Sequence, residues 1–267
     1  MPFTLIEKPR PHVSLITLNR PERLNAMAFD VMIPFRAALE EVSADNDTRV
    51  VVVTGAGEGF CSGADMEESG TIPNIAGLTR ASIARRSMEL LDDVILALRR
   101  MHQPVIAAVN GAAIGGGLCL AIACDVRLAS DRAYFRAAGI NNGLTSTELG
   151  LSYLLPRAIG SSRAFEIMLS GRDVDATEAE RIGLASRAVA HDELLPACYE
   201  LADRIIGFSR VGVEVTKRLL WSSLDAGSLH SHIDHEGHAQ LYVRLTTENF
   251  EEAVRARREK RAPVYRD

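Results

Sequence analysis

The sequence predicts an α/β fold, and three observations carry that prediction. Arg49–Thr54 (RVVVVT) is a continuous β-branched run, as a strand buried on both faces requires. Val105–Val109 is a second buried apolar run. Each runs into a glycine-rich corner, GAGEGFCSGAD at 55–65 and Gly115–Gly117, about 60 residues apart, and an apolar helical stretch follows the second. Strands alternating with helices build a layered α/β unit.

The elements follow in order. Residues 3–7 and 12–18 alternate as a hairpin does, with the turn at Pro9–Pro11. Phe29–Val42 has helical apolar spacing, with Pro34 near its first turns. A loop at Asp45–Asp47 precedes the strand at 49–54. Residues 66–80 (MEESGTIPNIAGLTR) are polar and glycine-rich and read as a mobile loop. Ser82–Met101 is an amphipathic helix. Strand, glycine corner and helix then repeat over 104–124. From about Leu201 strands cease and helical patterns dominate. The chain therefore divides into a core at 1–200 and a helical appendage at 201–267.

Composition narrows the function classes. The chain has 267 residues, 47% of them hydrophobic, with Gly and Pro dispersed, which suits one globular unit. A formal net charge of −5 argues against nucleic acid as a partner. There is no basic-then-apolar leader and no apolar run near about 18 residues. A cytoplasmic protein without a membrane partner is expected. Cys61, Cys119, Cys124 and Cys198 form no C-x-x-C pair and read as free thiols. His230, His232, His235 and His238 crowd one segment, but their spacing makes no ligand face, so no metal is expected.

Gly115, Gly116 and Gly117 are the most informative residues. Glycine at a buried strand–helix corner costs backbone entropy. One reading is tight packing of the corner. The other is a ligand atom bonded to free N–H groups at a helix N-terminus, where four donors lack intrahelical partners. A carbonyl oxygen becoming an enolate is such a ligand. The earlier corner offers a second donor. Its Gly55, Gly57 and Gly59 lack the dinucleotide spacing and no P-loop lysine follows.

The motifs FCSGADM at 60–66, PVIAAVNGAAIGGG at 104–117 and ACDVRLAS at 123–130 resemble the crotonase, or enoyl-CoA hydratase/isomerase, superfamily. LNRPERLNAM at 18–27, LLPRAIG at 154–160, LSGRDVDATEAERIGLASRAV at 169–189 and TENFEEAVRARREKRAPVY at 247–265 continue the resemblance along nearly the whole chain. It implies a crotonase-like spiral of β-β-α units with a C-terminal helical appendage, assembled as a homotrimer or a dimer of trimers. It implies an acyl-CoA thioester substrate, and no cofactor beyond the coenzyme A that the substrate carries. The family's oxyanion hole, two backbone N–H groups, falls on Ala64 and Gly116. Gly115 belongs to the same corner. For coenzyme A, the resemblance points to the Ser62 carbonyl, the turn at Asp65 and Met66, and Arg23 toward a phosphate. Lys217, Lys260 and Arg261 are further basic candidates; each also reads as a plain solvated charge.

The sequence departs from typical hydratases at both catalytic glutamates. Their positions hold Cys119 and Gly139. Cys119 reads either as a nucleophile or as buried packing, and its apolar surroundings offer nothing to make a thiolate. Glu148, counted back from Leu155–Arg157, matches the position where dienoyl-CoA isomerases and 4-chlorobenzoyl-CoA dehalogenases carry a catalytic aspartate. Its competing reading is a helix-capping residue near Ser146 and Thr147. Three functions follow: double-bond isomerisation with Glu148 as acid and base, hydration through Glu148 or a loop carboxylate (Glu67, Glu68), and acyl-CoA binding without turnover.

Overall fold

A computed structural model describes residues 2–266. The hairpin forms as β1 (Thr4–Arg10) and β2 (Val13–Leu18), antiparallel. Its turn lies past Pro9, at residues 11–12, because His12 adopts the left-handed region (φ 64°) that lets the chain reverse. Then come α1 (Phe29–Ala44), β3 (Val50–Gly55), β4 (Gly59–Cys61), α2 (Arg80–Arg100), β5 (Val105–Val109), β6 (Ala112–Ile114), α3 (Gly116–Ala123), β7 (Val126–Ser130) and β8 (Tyr134–Arg136). The rest is α4 (Leu151–Ile159), α5 (Ser161–Ser170), β9 (Asp173–Asp175), α6 (Ala176–Ile182), β10 (Arg187–Val189), α7 (Leu194–Ile206), α8 (Arg210–Ser223), α9 (Leu229–Thr246) and α10 (Asn249–Glu259).

From β3 to β8 the strands alternate between two sheets. One has the order β1-β2-β3-β5-β7-β10 and the other β4-β6-β8-β9. The units β3-β4-α2, β5-β6-α3 and β7-β8-α4 each send a long strand to the first sheet and a short one to the second, then close with a helix. Among the described residues, β1–β2 and β8–β9 are antiparallel and the other strand pairs are parallel. This stacking is the crotonase spiral.

The unbroken apolar strands have a direct explanation. Val51 and Val53 join the core that holds α1, α2 and α3, while Val50 and Val52 join a second core beneath α7. Ala107 and Val109 face the first core, Ile106 and Ala108 the second. Covered faces on both sides favour apolar residues at successive positions, and a polar one such as Thr54 is kept by a hydrogen bond to the Ala108 carbonyl. The boundary expected at residue 200 lies within α7, whose Ala202, Ile205 and Ile206 still pack on the sheet.

Beyond α7 the helical appendage is held by polar contacts rather than a broad core. The buried Lys217 Nζ lies 2.8 Å from Asp125 Oδ2 and donates to the Gln103 carbonyl at 2.8 Å. Trp221 donates its indole N–H to Asp125, and Arg99 stacks over the Trp221 ring at 4.1 Å. Lys217 is thus a structural latch. Arg261 pairs with Glu252 and Glu259, and Lys260 caps α10 in the left-handed region. Leu220, Leu229, Ile233, Leu241, Leu245 and Phe250 leave apolar surface exposed on these helices. The four histidines sit on α9, and no group of metal-ligating side chains occurs among the described residues. Among the described residues, no helix is long and apolar enough to cross a membrane.

Candidate active site

The site is built where the two glycine corners meet. β4 and β6 run parallel, pairing Gly59 with Ala112 and Cys61 with Ala113, so the chain leaves both strands on the same side. A Cβ added to Gly63 would lie 2.5 Å from the Ile114 carbonyl oxygen and 3.3 Å from the Gly116 nitrogen. The segment carrying Ala64 therefore lies directly against the start of α3.

Two glycines of the triplet are fixed by sterics. Gly115 has φ 53°, ψ −117°, a conformation L side chains rarely adopt, and it forms the N-cap of α3. A Cβ on Gly117 would stand 1.9 Å from the Cys61 carbonyl oxygen. The packing reading of these glycines is thus correct. It does not exclude the other reading, because close packing is what brings the donors together.

Both expected donors are available. Met27 bridges Ala64 by donating to the Gly63 carbonyl (2.7 Å) and accepting from the Asp65 N–H (3.2 Å). That pairing leaves the Ala64 N–H unused. Gly116 is the first residue of α3, so its N–H has no intrahelical acceptor.

Asp65 fixes the Ala64 loop from the other side. Its side chain is fully buried and lies 2.9 Å from Arg20 and 2.6 Å from Arg23. It also accepts the N–H groups of Glu67 (3.0 Å) and Glu68 (2.8 Å). The Arg23 guanidinium beside it holds its carboxyl well below the usual carboxylate range. Arg23 also pairs with Glu67, and Arg20 with Glu68. The side chains of Arg23 and Asp65 are therefore committed to the loop itself. Ser62 is tied to the same strap, donating its N–H to the Leu24 carbonyl at 3.0 Å, and Met66 is exposed at its edge.

Glu148 stands at the corner. A Cβ on Gly115 would lie 3.3 Å from Glu148 Oε1. The residue is half-buried, and burial pushes its carboxyl pKa up. No side-chain or backbone donor among the described residues reaches that carboxylate. The capping reading fails here. The N-cap of α4 is Gly150, no side chain caps it, and Ser146 is occupied with the Ile140 N–H and the Ala137 carbonyl.

The two missing glutamates have physical counterparts. Cys119 is completely buried, and burial pushes its thiol pKa well up; its Sγ lies 3.5 Å from the Glu148 carbonyl oxygen. Burial thus disfavours the thiolate that a nucleophile would need. A Cβ on Gly139 would sit 1.9 Å from the Thr145 carbonyl oxygen, so the loop leading to Glu148 fills the space a side chain there would need. In LNRPERLNAM the sequence points to Arg23 but gives no sign of Met27 or Arg20. Nothing local to that segment signals that its far end grips the Ala64 loop.

The profile of the family described as enoyl-CoA hydratase/isomerase matches residues 10–267. A probable enoyl-CoA hydratase of Mycobacterium tuberculosis is 69% identical over 265 residues, covering 99% of this chain and 93% of the relative. The crystal structure of a probable enoyl-CoA hydratase/isomerase from Mycobacterium abscessus is 69% identical, with a TM-score of 0.95 over 99% of this chain and 98% of that one. A structure described as a monofunctional enoyl CoA isomerase from M. smegmatis is 62% identical, with a TM-score of 0.75 over 87% of this chain and 99% of that one. Spiral, paired corners and these likenesses agree: the chain belongs to the enoyl-CoA hydratase/isomerase family of the crotonase superfamily.

Proposed function

We propose that the protein moves a double bond in an enoyl-CoA thioester, with Glu148 as both base and acid. The carrying observation is that a single desolvated carboxylate, Glu148, faces the glycine corner, while the two hydratase positions hold a buried thiol and a glycine without room for a side chain. The thioester oxygen accepts hydrogen bonds from the Ala64 and Gly116 N–H groups. Two fixed donors acidify the α-carbon, and one such donor is typically worth about 10²–10³ in rate. Glu148 takes the α-proton of a 3-enoyl ester. The electron pair delocalises into a dienolate held by the two donors. The protonated Glu148 returns the proton to the γ-carbon, giving the 2-enoyl ester with no change in mass. The isomerase name of the M. smegmatis structure supports this reading. Coenzyme A arrives on the substrate, and the chemistry needs no other cofactor. Ser62, Asp65, Met66 and Arg23 form the strap on which the coenzyme A portion rests, with Gly115 beside it at the start of α3.

Hydration is the second reading, and the names of the mycobacterial relatives favour it. It needs a group to activate water. Glu67 and Glu68, the loop candidates, are exposed and tied to Arg23 and Arg20. A panel of 2-enoyl-, 3-enoyl- and dienoyl-CoA esters, followed spectrophotometrically and by mass, separates the readings. Conversion of a 3-enoyl to a 2-enoyl ester without mass change is expected. A gain of one water assigns hydration. No turnover with any ester assigns a binding protein. Glu148→Gln is expected to lower turnover by about 10²–10⁴ with acyl-CoA affinity within a few-fold. The exposed apolar surface of α8–α10 fits a homotrimer or a dimer of trimers. Light scattering that gives a monomer at micromolar concentration contradicts that assembly.

A further inference from the structure

The backbone just after Glu148 is strained. Leu149 has φ 47° and Gly150 φ 80°, two consecutive left-handed residues before α4 begins. Glycine accepts this freely, whereas a bulky residue such as leucine is an outlier there. The Leu149 side chain is not turned to solvent in compensation. It is 7% exposed, and its Cδ1 lies 3.5 Å from where a Cβ on Gly116 would stand. The Glu148 carbonyl accepts the Leu151 N–H at 2.8 Å, which closes the turn. Strain of this kind persists only where the surroundings over-determine it, and it concentrates at functional sites.

We infer that Leu149 is a positioning residue: its left-handed turn aims the Glu148 carboxylate at the Gly115–Gly116 corner, and its side chain keeps water from that corner. This rests on Glu148 being the acid and base proposed above. The surroundings leave these two effects as the main determinants of the carboxylate's state. From α3, the titratable neighbour is Cys119, with Cys61 of β4 behind it; both are buried thiols raised by desolvation. On β8, Arg136 pairs with Asp173. On the Ala64 loop, Asp65 pairs with Arg20 and Arg23.

The test compares Leu149→Met, Leu149→Asn, Leu149→Val and Glu148→Gln with the wild type, using the ester that turns over. Asparagine tolerates the left-handed region but removes the apolar cover. It should lower kcat about 10-fold and move the acid limb of the pH–rate profile to lower pH. Valine keeps an apolar group but resists the turn. It should lower kcat about 100-fold, as expected when a reacting group is displaced by about 1 Å, with KM within about threefold. Methionine keeps both features and should retain the wild-type profile. Lower melting temperatures with unchanged kcat and unchanged pH profile for Leu149→Asn would overturn the inference, since Leu149 would then serve packing alone. If Glu148→Gln retains full activity, the proposed function falls first. If Glu148→Gln is inactive while the Leu149 variants match wild type, only the positioning role falls.

Discussion

The glycine triplet allows a quantitative contrast between adjacent positions. In Gly116→Ala, the new methyl would stand 2.2 Å from Met27 Sδ and 3.3 Å from its Cε. Normal contact is about 3.5–4.0 Å, so the sulfur must retreat by more than about 1 Å. It lies near the end of a side chain with three rotatable bonds, so overpacking of about 1–3 kcal/mol is expected. That corresponds to roughly 2–4 °C in Tm per kcal/mol for a chain of this size. In Gly117→Ala, the obstacles are the Cys61 carbonyl oxygen at 1.9 Å and carbon at 2.8 Å. These are backbone atoms of β4, and no rotamer change moves them. β4 must separate from α3, which carries Ala64 away from Gly116. Loss above about 4 kcal/mol, or insoluble protein, is expected. Met27→Ala should remove the obstacle at 116 but not at 117. The double variant Met27→Ala/Gly116→Ala should therefore show a coupling of about 1–3 kcal/mol in the stabilising direction. Calorimetry and steady-state kinetics on the four variants measure this. Gly117→Ala with the wild-type Tm and kcat would refute the reasoning, because β4 and α3 could not then be in contact as described.

Three further predictions concern buried groups. Asp65→Asn removes the charge that holds Arg20 and Arg23, so Ala64 should shift and kcat should fall by about 10-fold or more, read by steady-state kinetics. The Asp65 pKa is depressed by folding, so its stabilisation is present above the ordinary carboxylate range and is lost only as pH falls below it; calorimetric scans of the two proteins should converge in strong acid. The thiols of Cys61, Cys124 and Cys198 are pushed up to about 12 by burial and that of Cys119 well up, so none should alkylate in the native protein at pH 8, and all four should react after unfolding, read by intact mass. Cys119→Ala should leave turnover nearly unchanged and lower Tm modestly.

The sequence announced the scaffold more fully than the chemistry, for a physical reason. Val50–Val53 are apolar at every position because both sheet faces are covered, and that signal is local. The helices over 29–42 and 82–101 were likewise legible, and the structure extends them only by a turn or less. The site depends on contacts between distant segments. Gly139 says nothing alone; its meaning lies in the Thr145 carbonyl that occupies the space beside it. Arg23 read as a phosphate ligand because its carboxylate partners stand about 40 residues downstream. Lys217 read as a basic candidate for coenzyme A or as a solvated charge, because Asp125 and Gln103 meet it only after α8 docks. Leu149 could not be found at all, since no composition rule places leucine in the left-handed region.

The same breach of local rules makes the last prediction. Glu148 is a half-buried carboxylate with no donor among the described residues to compensate it, which is an arrangement that costs folding free energy. Its pKa is raised in the folded state, so that state holds the proton more tightly than the unfolded chain does. The group's contribution is therefore most favourable below the ordinary carboxylate value of 4.5. It worsens as pH rises through the window from there to the folded value, and at neutral pH the full cost of the buried charge is present. Glutamine has the same shape and carries no charge at any pH. Glu148→Gln should accordingly melt at or above the wild-type temperature at pH 7.5, with the difference closing as the pH falls through 4.5. Wild-type turnover should decline on the acid side of a pKa above 4.5, because the base must be ionised to take the α-proton. A variant that is both inactive and several degrees less stable would mean that the carboxylate holds the loop. An inactive variant at least as stable as wild type would mean that the fold tolerates an unfavourable group there for the reaction alone.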